Sequence, residues 1–231
     1  MSARAPIHLR PTTELAARVL LPGDPGRALA LAQALLEKPL MFNHHRGLWG
    51  YTGTASDGEP LTIQSTGMGG PSAAIVLHEL IALGVRRAIR VGTCGALDGE
   101  LRLGDLLVAR EALAADGTSR ALGADGRVAA DEKLTSALSR ASSGAVAATV
   151  VSTDLFYEHD PKREHAWRAA GAVAVEMEAA TLFAVGARLG VPVACVLTVT
   201  DIDGGHERID DDSLLDAAGA MGHAALRALA V

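Results

Sequence analysis

Short β-type runs alternate with longer helical patterns along nearly the whole chain, and glycine-rich turns recur where the runs end. Candidate strands lie at 17–23, 48–56, 61–67, 87–92, 105–112, 145–153 and 193–201. Candidate helices lie at 71–83, 131–141, 161–170, 176–189 and 212–229. This alternation is the signature of an α/β fold. The turns PGDPG, STGMGG, VGTCG and TDIDGG each close a candidate strand, and ligands of open α/β sheets bind at that edge. The helix at 71–83 is clearly punctuated: Pro71 suits a first turn, where its missing N–H costs nothing, and Gly84 suits the position just past the end. There is no internal repeat, linker or low-complexity tract, so one compact domain is expected over residues 1–231.

Of the 231 residues, 49% are apolar, enough for a full-sized core without covalent staples. The 21 Lys and Arg against 27 Asp and Glu leave a net charge of −6. A general nucleic-acid partner is not expected from that balance. An anion would have to be gripped by a local site. The opening MSARAPIHLR lacks a secretory apolar region, and no apolar run approaches bilayer-spanning length. Two cysteines, Cys94 and Cys195, both in apolar stretches, fit a reducing, cytoplasmic setting.

Several short motifs could carry chemistry. In GDPGR (23–27) a tight turn can present backbone N–H groups to an anion, with Arg27 as a forked donor. Taken alone it reads rather as an ordinary loop before a helix with Arg27 solvated, because such turns are common. NHHRGLWGYTG (43–53) holds Arg46 and the pair His44–His45. Adjacent histidines have neither the helical nor the strand spacing that aims both rings at one metal, so they read as surface or interface residues. STGMGGPS (65–72) joins a strand to a helix through three glycines without the order of a P-loop or a dinucleotide fingerprint. Its glycines suggest close approach of a ligand or of another backbone.

RVGTCG (90–95) places a permanently charged side chain inside an apolar run, just before what reads as a glycine-rich turn. A buried guanidinium needs an acid or an anionic ligand, and the Thr93 hydroxyl and neighbouring N–H groups would complete an oxyanion cradle. Locally, a salt bridge and an anion site are equally good explanations of Arg90. In AVEMEAATLF (174–183), Glu176 and Glu178 open an apolar helix, where acids favour the dipole. If 174–178 is helical, only one of them can aim at a given ligand; if it is extended, both can share a face. LTVTDIDGGHE (197–207) ends a buried strand in Thr200 and Asp201, a position suited either to a general acid or to a turn cap.

Read in order, PGDPGRA, RGLWGYTG, STGMGGPS, IRVGTCGA, STDLFY, VEMEAA and VTD resemble the purine nucleoside phosphorylases of the hexameric class, over about residues 6–201. The resemblance implies an α/β domain with a central mixed, partly barrel-like sheet flanked by helices. It implies a glycosyltransferase of purine nucleoside salvage, converting a purine nucleoside and inorganic phosphate to free base and ribose 1-phosphate, with no cofactor or metal. The implied assembly is a homohexamer, a trimer of dimers with shared sites.

Residue by residue, the resemblance makes Gly23, Arg27, Arg90 and Thr93 phosphate ligands. Arg46 and His8 reach into a neighbouring subunit's site, to its phosphate and to the ribose 5′-hydroxyl. Met68 lines the sugar pocket, while Met177 and Glu178 bind the ribose. Phe156 stacks on the base, and Val175 and Glu176 border the base pocket. Asp201 protonates purine N7, so that the base leaves neutral. The family's arginine that assists this acid sits in a longer segment; here DIDGGHERIDDDSLL is shorter, and Arg208 is the candidate assistant.

Three alternatives bear on these residues. A uridine phosphorylase would carry a Gln/Arg pair near 154–163, which STDLFYEHDPKRE does not match well. A methylthioadenosine-type nucleosidase would use water and would not need Arg27, Arg46 and Arg90. A non-catalytic nucleoside-binding protein would need neither the acid nor the arginines.

Overall fold

A computed structural model describes residues 6–157 and 160–230; residues 1–5, 158, 159 and 231, within the expected domain span, lie outside the described residues. In chain order the elements are β1 (Arg18–Leu21), α1 (Pro25–Leu35), β2 (Leu36–Asn43), β3 (Gly50–Ala55), β4 (Pro60–Gln64) and α2 (Gly70–Leu83). Next come β5 (Arg87–Ala96), β6 (Leu106–Ala114), α3 (Gly117–Ala121), β7 (Arg127–Ala129), α4 (Glu132–Ala141) and β8 (Val146–Ser152). The chain finishes with α5 (Pro161–Ala169), β9 (Ala172–Glu176), α6 (Ala179–Leu189), β10 (Val193–Ile202), β11 (Glu207–Arg208) and α7 (Asp211–Leu229).

The strands join in one mixed sheet, ordered β11-β10-β6-β8-β9-β5-β1-β4-β3-β2, with β7 on β6. An additional pairing of β10 with β5 closes β10, β6, β8, β9 and β5 into a ring, while β1 to β4 extend from it as an open wing. This is the expected α/β architecture with a partly barrel-like sheet. Helices α2 and α6 pack on one face and α1, α4 and α7 on the other. Phe183, Leu77 and Leu80 on the first face, and Leu31 and Leu226 on the second, are buried, each side chain contributing roughly 1.5–3 kcal/mol. Among the described residues, no helix is long and apolar enough to cross a membrane.

Capping explains where the helices start. Asp24, Asp131 and Asp210 precede α1, α4 and α7 with extended backbones and accept N–H groups of the first turns. Pro71 and Gly84 bound α2 as expected.

Three differences from the sequence reading bear on the site. The residues 92–95 are not a turn: β5 runs straight through them to Ala96, paired with β10. The helix expected from 176 begins at Ala179, because Ala172–Glu176 is a strand, β9, wedged between β5 and β8. The GDPGR turn leads at once into α1, with Arg27 inside its first turn.

Candidate active site

Strand pleating decides where Arg90 points. Ile89 and Val91 bury themselves in the core under α1, α4 and α7, so Arg90 between them projects to the other face, towards the start of α6. There it meets both glutamates. Nε donates to Glu176 Oε2 at 3.1 Å, and Nη2 lies 2.5 Å from Glu178 Oε2. The residue is only 3% exposed, and its third nitrogen, Nη1, is buried without a hydrogen-bond partner among the described residues. A buried donor left unmade costs about 1–3 kcal/mol. Burial disfavours the Arg90 charge, but Glu178 and Glu176 outweigh it and raise its pKa. The salt-bridge and anion explanations of Arg90 are therefore compatible: two of its nitrogens are held by acids and one is spare.

Nη1 faces the PGDPG turn. A Cβ built on Gly23 would lie 4.0 Å from it, and Gly23 is tied to the next loop by the Gly67 N–H donating to its carbonyl at 3.0 Å. Asp24 Oδ1 accepts the Arg27 N–H at 2.6 Å, fixing the first turn of α1. The Arg27 guanidinium is lowered in pKa by burial and then by the neighbouring Arg90 charge. Two guanidinium groups that repel each other beside a spare buried donor form a site that favours an anion.

The backbone adds to it. On the edge of β5 away from β10, β1 pairs only as far as Arg90, and β9 begins only at Gly95. Residues 91–94 thus have an open ladder edge, with half-buried Thr93 in its middle. Residues 92–95, expected as a turn, are strand, so N–H groups offered to an anion here would have to come from this gap in the sheet.

Glu178 links this anion site to a neighbouring cleft. Its Oε1 accepts the Gly69 N–H at 2.5 Å. Met68, Gly69 and Met177 line a cavity of about 530 Å³ with Pro71, Gly117, Thr118 and Asp154. β9 ends at Glu176 and a bend at 177–178, rather than extended backbone throughout, brings Glu176 and Glu178 onto one arginine. Glu176 itself is not a pocket wall: its side chain has no exposed surface. Burial raises its pKa against the pull of Arg90.

Asp201 is aimed by a bulge. The β10 register runs regularly to Val199 opposite Cys94, then skips Thr200 and resumes with Asp201 opposite Gly95. Bulges re-aim side chains in this way. A Cβ on Gly95 would sit 2.5 Å from Asp201 Oδ2 and 3.4 Å from Val175 Cγ1, so Asp201 and Val175 share one wall. Thr200 Oγ1 lies 3.0 Å from Asp201 Oδ1 and 3.3 Å from the Cys94 carbonyl. The single hydroxyl hydrogen can serve one of these two acceptors at a time. Arg208, on β11, stands directly opposite Asp201 in the antiparallel register and is exposed.

His8 and Arg46 form a separate cluster. Glu79 on α2 accepts the N–H groups of Ile7, His8 and Leu9 and faces His8 Nδ1 at 2.8 Å. These bonds lower the Glu79 pKa to about 2 against the opposing effect of burial. His45 Nδ1 donates to the His8 carbonyl at 2.9 Å, so His45 has a structural role rather than a surface one. Arg46 is exposed, with a left-handed backbone at φ 60°. Among the described residues, no hydrogen bond or ion pair joins His8 or Arg46 to Arg27, Arg90 or Asp201. Met68 is 86% exposed and Phe156 62%, Phe156 contacting Tyr157 edge-to-face.

Sequence reasoning assigned no role to Ser152 or Glu79, and took Gly92 and Gly95 for turn residues. The two glycines carried a legible signal, since glycine inside a strand marks close approach: a Cβ on Gly92 would fall 2.7 Å from Arg90 Cζ.

The purine nucleoside phosphorylase DeoD-type of Clostridium novyi is 39% identical over 195 residues, covering 81% of this chain and 83% of that protein. The protein of the same description from Geobacillus kaustophilus is 40% identical over 197 residues, covering 82% and 83%. That from Caldanaerobacter subterraneus is 39% identical over 198 residues, covering 81% and 84%. Residues 17–230, which hold every element of the anion site and the Asp201 wall, match the family model of the Phosphorylase superfamily, and the chain belongs to that superfamily.

Proposed function

We propose that this protein is a purine nucleoside phosphorylase, transferring the pentosyl group of a purine nucleoside to inorganic phosphate. The observation that carries the reading is the buried, unpartnered Nη1 of Arg90 beside Gly23 and Arg27. Phosphate accepts from Arg90, Arg27, Thr93 and the open N–H groups of β5. Held there, it attacks the anomeric carbon as one partner of an effectively unimolecular step. The bond from C1′ to the base nitrogen breaks, the bond from C1′ to a phosphate oxygen forms, and Asp201 gives its proton to purine N7.

The ribose hydroxyls donate to Glu178, with Met68 and Met177 against the sugar. Val175 and Phe156 flank the base. Arg208, opposite Asp201, offers positive charge to that acid once it has lost its proton. His8 and Arg46, clustered away from Arg90 within one chain, serve the neighbouring subunit's site. This supports a homo-oligomer with shared sites, and a homohexamer is the assembly the family resemblance implies. Two buried, unpaired cysteines are in keeping with action in the cytoplasm.

The test is a substrate panel of inosine, adenosine, guanosine, uridine and methylthioadenosine, each with and without phosphate. Phosphate-dependent turnover of the purine nucleosides is expected. Base release without phosphate, or turnover of uridine alone, overturns the reading.

A further inference from the structure

We propose that Glu176 is a positioning residue that holds Arg90 from behind so that Nη1 is delivered to the anion site. The inference rests on the phosphate-binding reading above and concerns how that site is kept in order.

The Glu176 carboxylate has no acceptor capacity left over for a substrate. Oε2 accepts from Arg90 Nε at 3.1 Å, from the Glu178 N–H at 2.9 Å and from the Ala179 N–H at 2.9 Å. Oε1 accepts from the Ala179 N–H at 3.0 Å and from the Ser152 hydroxyl. Two carboxylate oxygens offer about four lone-pair sites, and every one is taken by protein. Ser152 is itself fixed, its Oγ accepting the Ala180 N–H at 2.8 Å. A carboxylate locked by the first N–H groups of α6 and by a locked serine has one orientation, and it imposes that orientation on the guanidinium.

Glu178 is differently placed. It holds Arg90 Nη2 and the Gly69 N–H, beside the cavity lined by Met68 and Met177. A sugar whose hydroxyls donate to Glu178 competes with Arg90 for that carboxylate. Once this happens, Glu176 is the acid that still fixes the arginine. Two acids on one arginine thus divide the work: one is available to the sugar, and the other keeps the phosphate donor in place.

Charge and geometry give opposite signs for the test. Glu176 is negative and close to an anion site, so a purely electrostatic influence requires phosphate to bind more tightly when it is neutralised. Positioning requires phosphate to bind more weakly. The experiment measures the phosphate dissociation constant by calorimetry, together with KM for phosphate and for inosine, on the intact assembly. Glu176→Gln is expected to weaken phosphate about 10-fold or more, by losing a hydrogen bond between charged groups, with KM for inosine within about threefold. Ser152→Ala, which keeps the charge and loosens the carboxylate, is expected to shift phosphate binding in the same direction by about threefold.

Phosphate binding that is unchanged or tighter in Glu176→Gln overturns the proposal. So does a rise confined to KM for inosine, which returns Glu176 to the base pocket. If Glu176→Gln does not fold, the direction of the shift in Ser152→Ala decides. A wild-type protein that binds no phosphate and turns over without it defeats the phosphorylase reading itself, a separate outcome.

Discussion

Asp201 and Arg208 stand directly opposite each other across the short antiparallel β10–β11 hairpin. Directly opposed residues of an antiparallel pair share a face, which puts Arg208 on the same face of the hairpin as Asp201. Asp201→Asn is expected to slow adenosine phosphorolysis about 10²–10⁴-fold, and inosine far less, because a 6-oxopurine leaves with less help from an acid. Arg208→Gln is expected to lower kcat on adenosine by roughly 10-fold with KM little changed. Steady-state kinetics on both substrates check this, and equal losses on the two would remove the acid role from Asp201.

Gly92 and Gly95 separate the two halves of the site. Gly92→Ala puts a methyl 2.7 Å from Arg90 Cζ, and Gly95→Ala puts one 2.5 Å from Asp201 Oδ2. Asp201 can turn aside, whereas Arg90, buried and held by Glu176 and Glu178, moves only by disturbing those pairings; overpacking of this kind costs about 1–3 kcal/mol. Gly92→Ala is expected to raise KM for phosphate, and Gly95→Ala to lower kcat while leaving phosphate KM nearly unchanged. Kinetics with each substrate varied in turn would show the split; the same pattern in both variants would refute it.

These glycines also show what was and was not legible in the chain. Their position after Arg90 suggested a turn, whereas they lie in a strand and make room for two charged side chains. The α/β alternation and α2 with its Pro71 and Gly84 could be read from residue types, whereas the pairing of Arg27 with Arg90 came only from the family resemblance. The strand β9 could not, because VEMEAATLF carries a helical pattern that runs through the last residue of the strand. Nor could β2, an edge strand whose Pro39 and exposed Glu37 and Lys38 break the apolar alternation. The bulge at Thr200 and the open edge of β5 arise from pairing between distant strands, which leaves no local mark. The burial of Glu176 was hidden for the same reason: its partners Arg90 and Ser152 are 86 and 24 residues away.

Removing Arg90 tests the ion cluster as structure. Arg90→Ala leaves Glu176 and Glu178 buried without their cation, and breaking such a cluster costs about 3–5 kcal/mol. Glu176 is then raised further by burial, and a carboxyl raised in the folded state favours folding when protonated. The deficit is therefore expected to shrink as pH falls and to grow as it rises. Urea unfolding of wild type and variant across that range measures it; a deficit independent of pH would argue against two buried carboxylates sharing one arginine.

Glu79 governs the N-terminal segment in the opposite sense. Its carboxyl is lowered from 4.5 to about 2, so the stability it lends is complete above about 4.5 and fades as pH falls towards 2. Amide exchange at Ile7, His8 and Leu9 is expected to accelerate over that interval. In Glu79→Gln it should be fast already at neutral pH, with KM for nucleoside raised if His8 serves a neighbouring site. Protected amides in the variant would show that other contacts hold the segment.

The central claim is that the arginine-lined site holds phosphate as the nucleophile. It is tested most directly by incubating the protein with inosine and labelled inorganic phosphate and counting products. One labelled ribose 1-phosphate is expected for each hypoxanthine released, and no release when phosphate is omitted. Hypoxanthine appearing with free ribose, at a rate indifferent to phosphate, would contradict it.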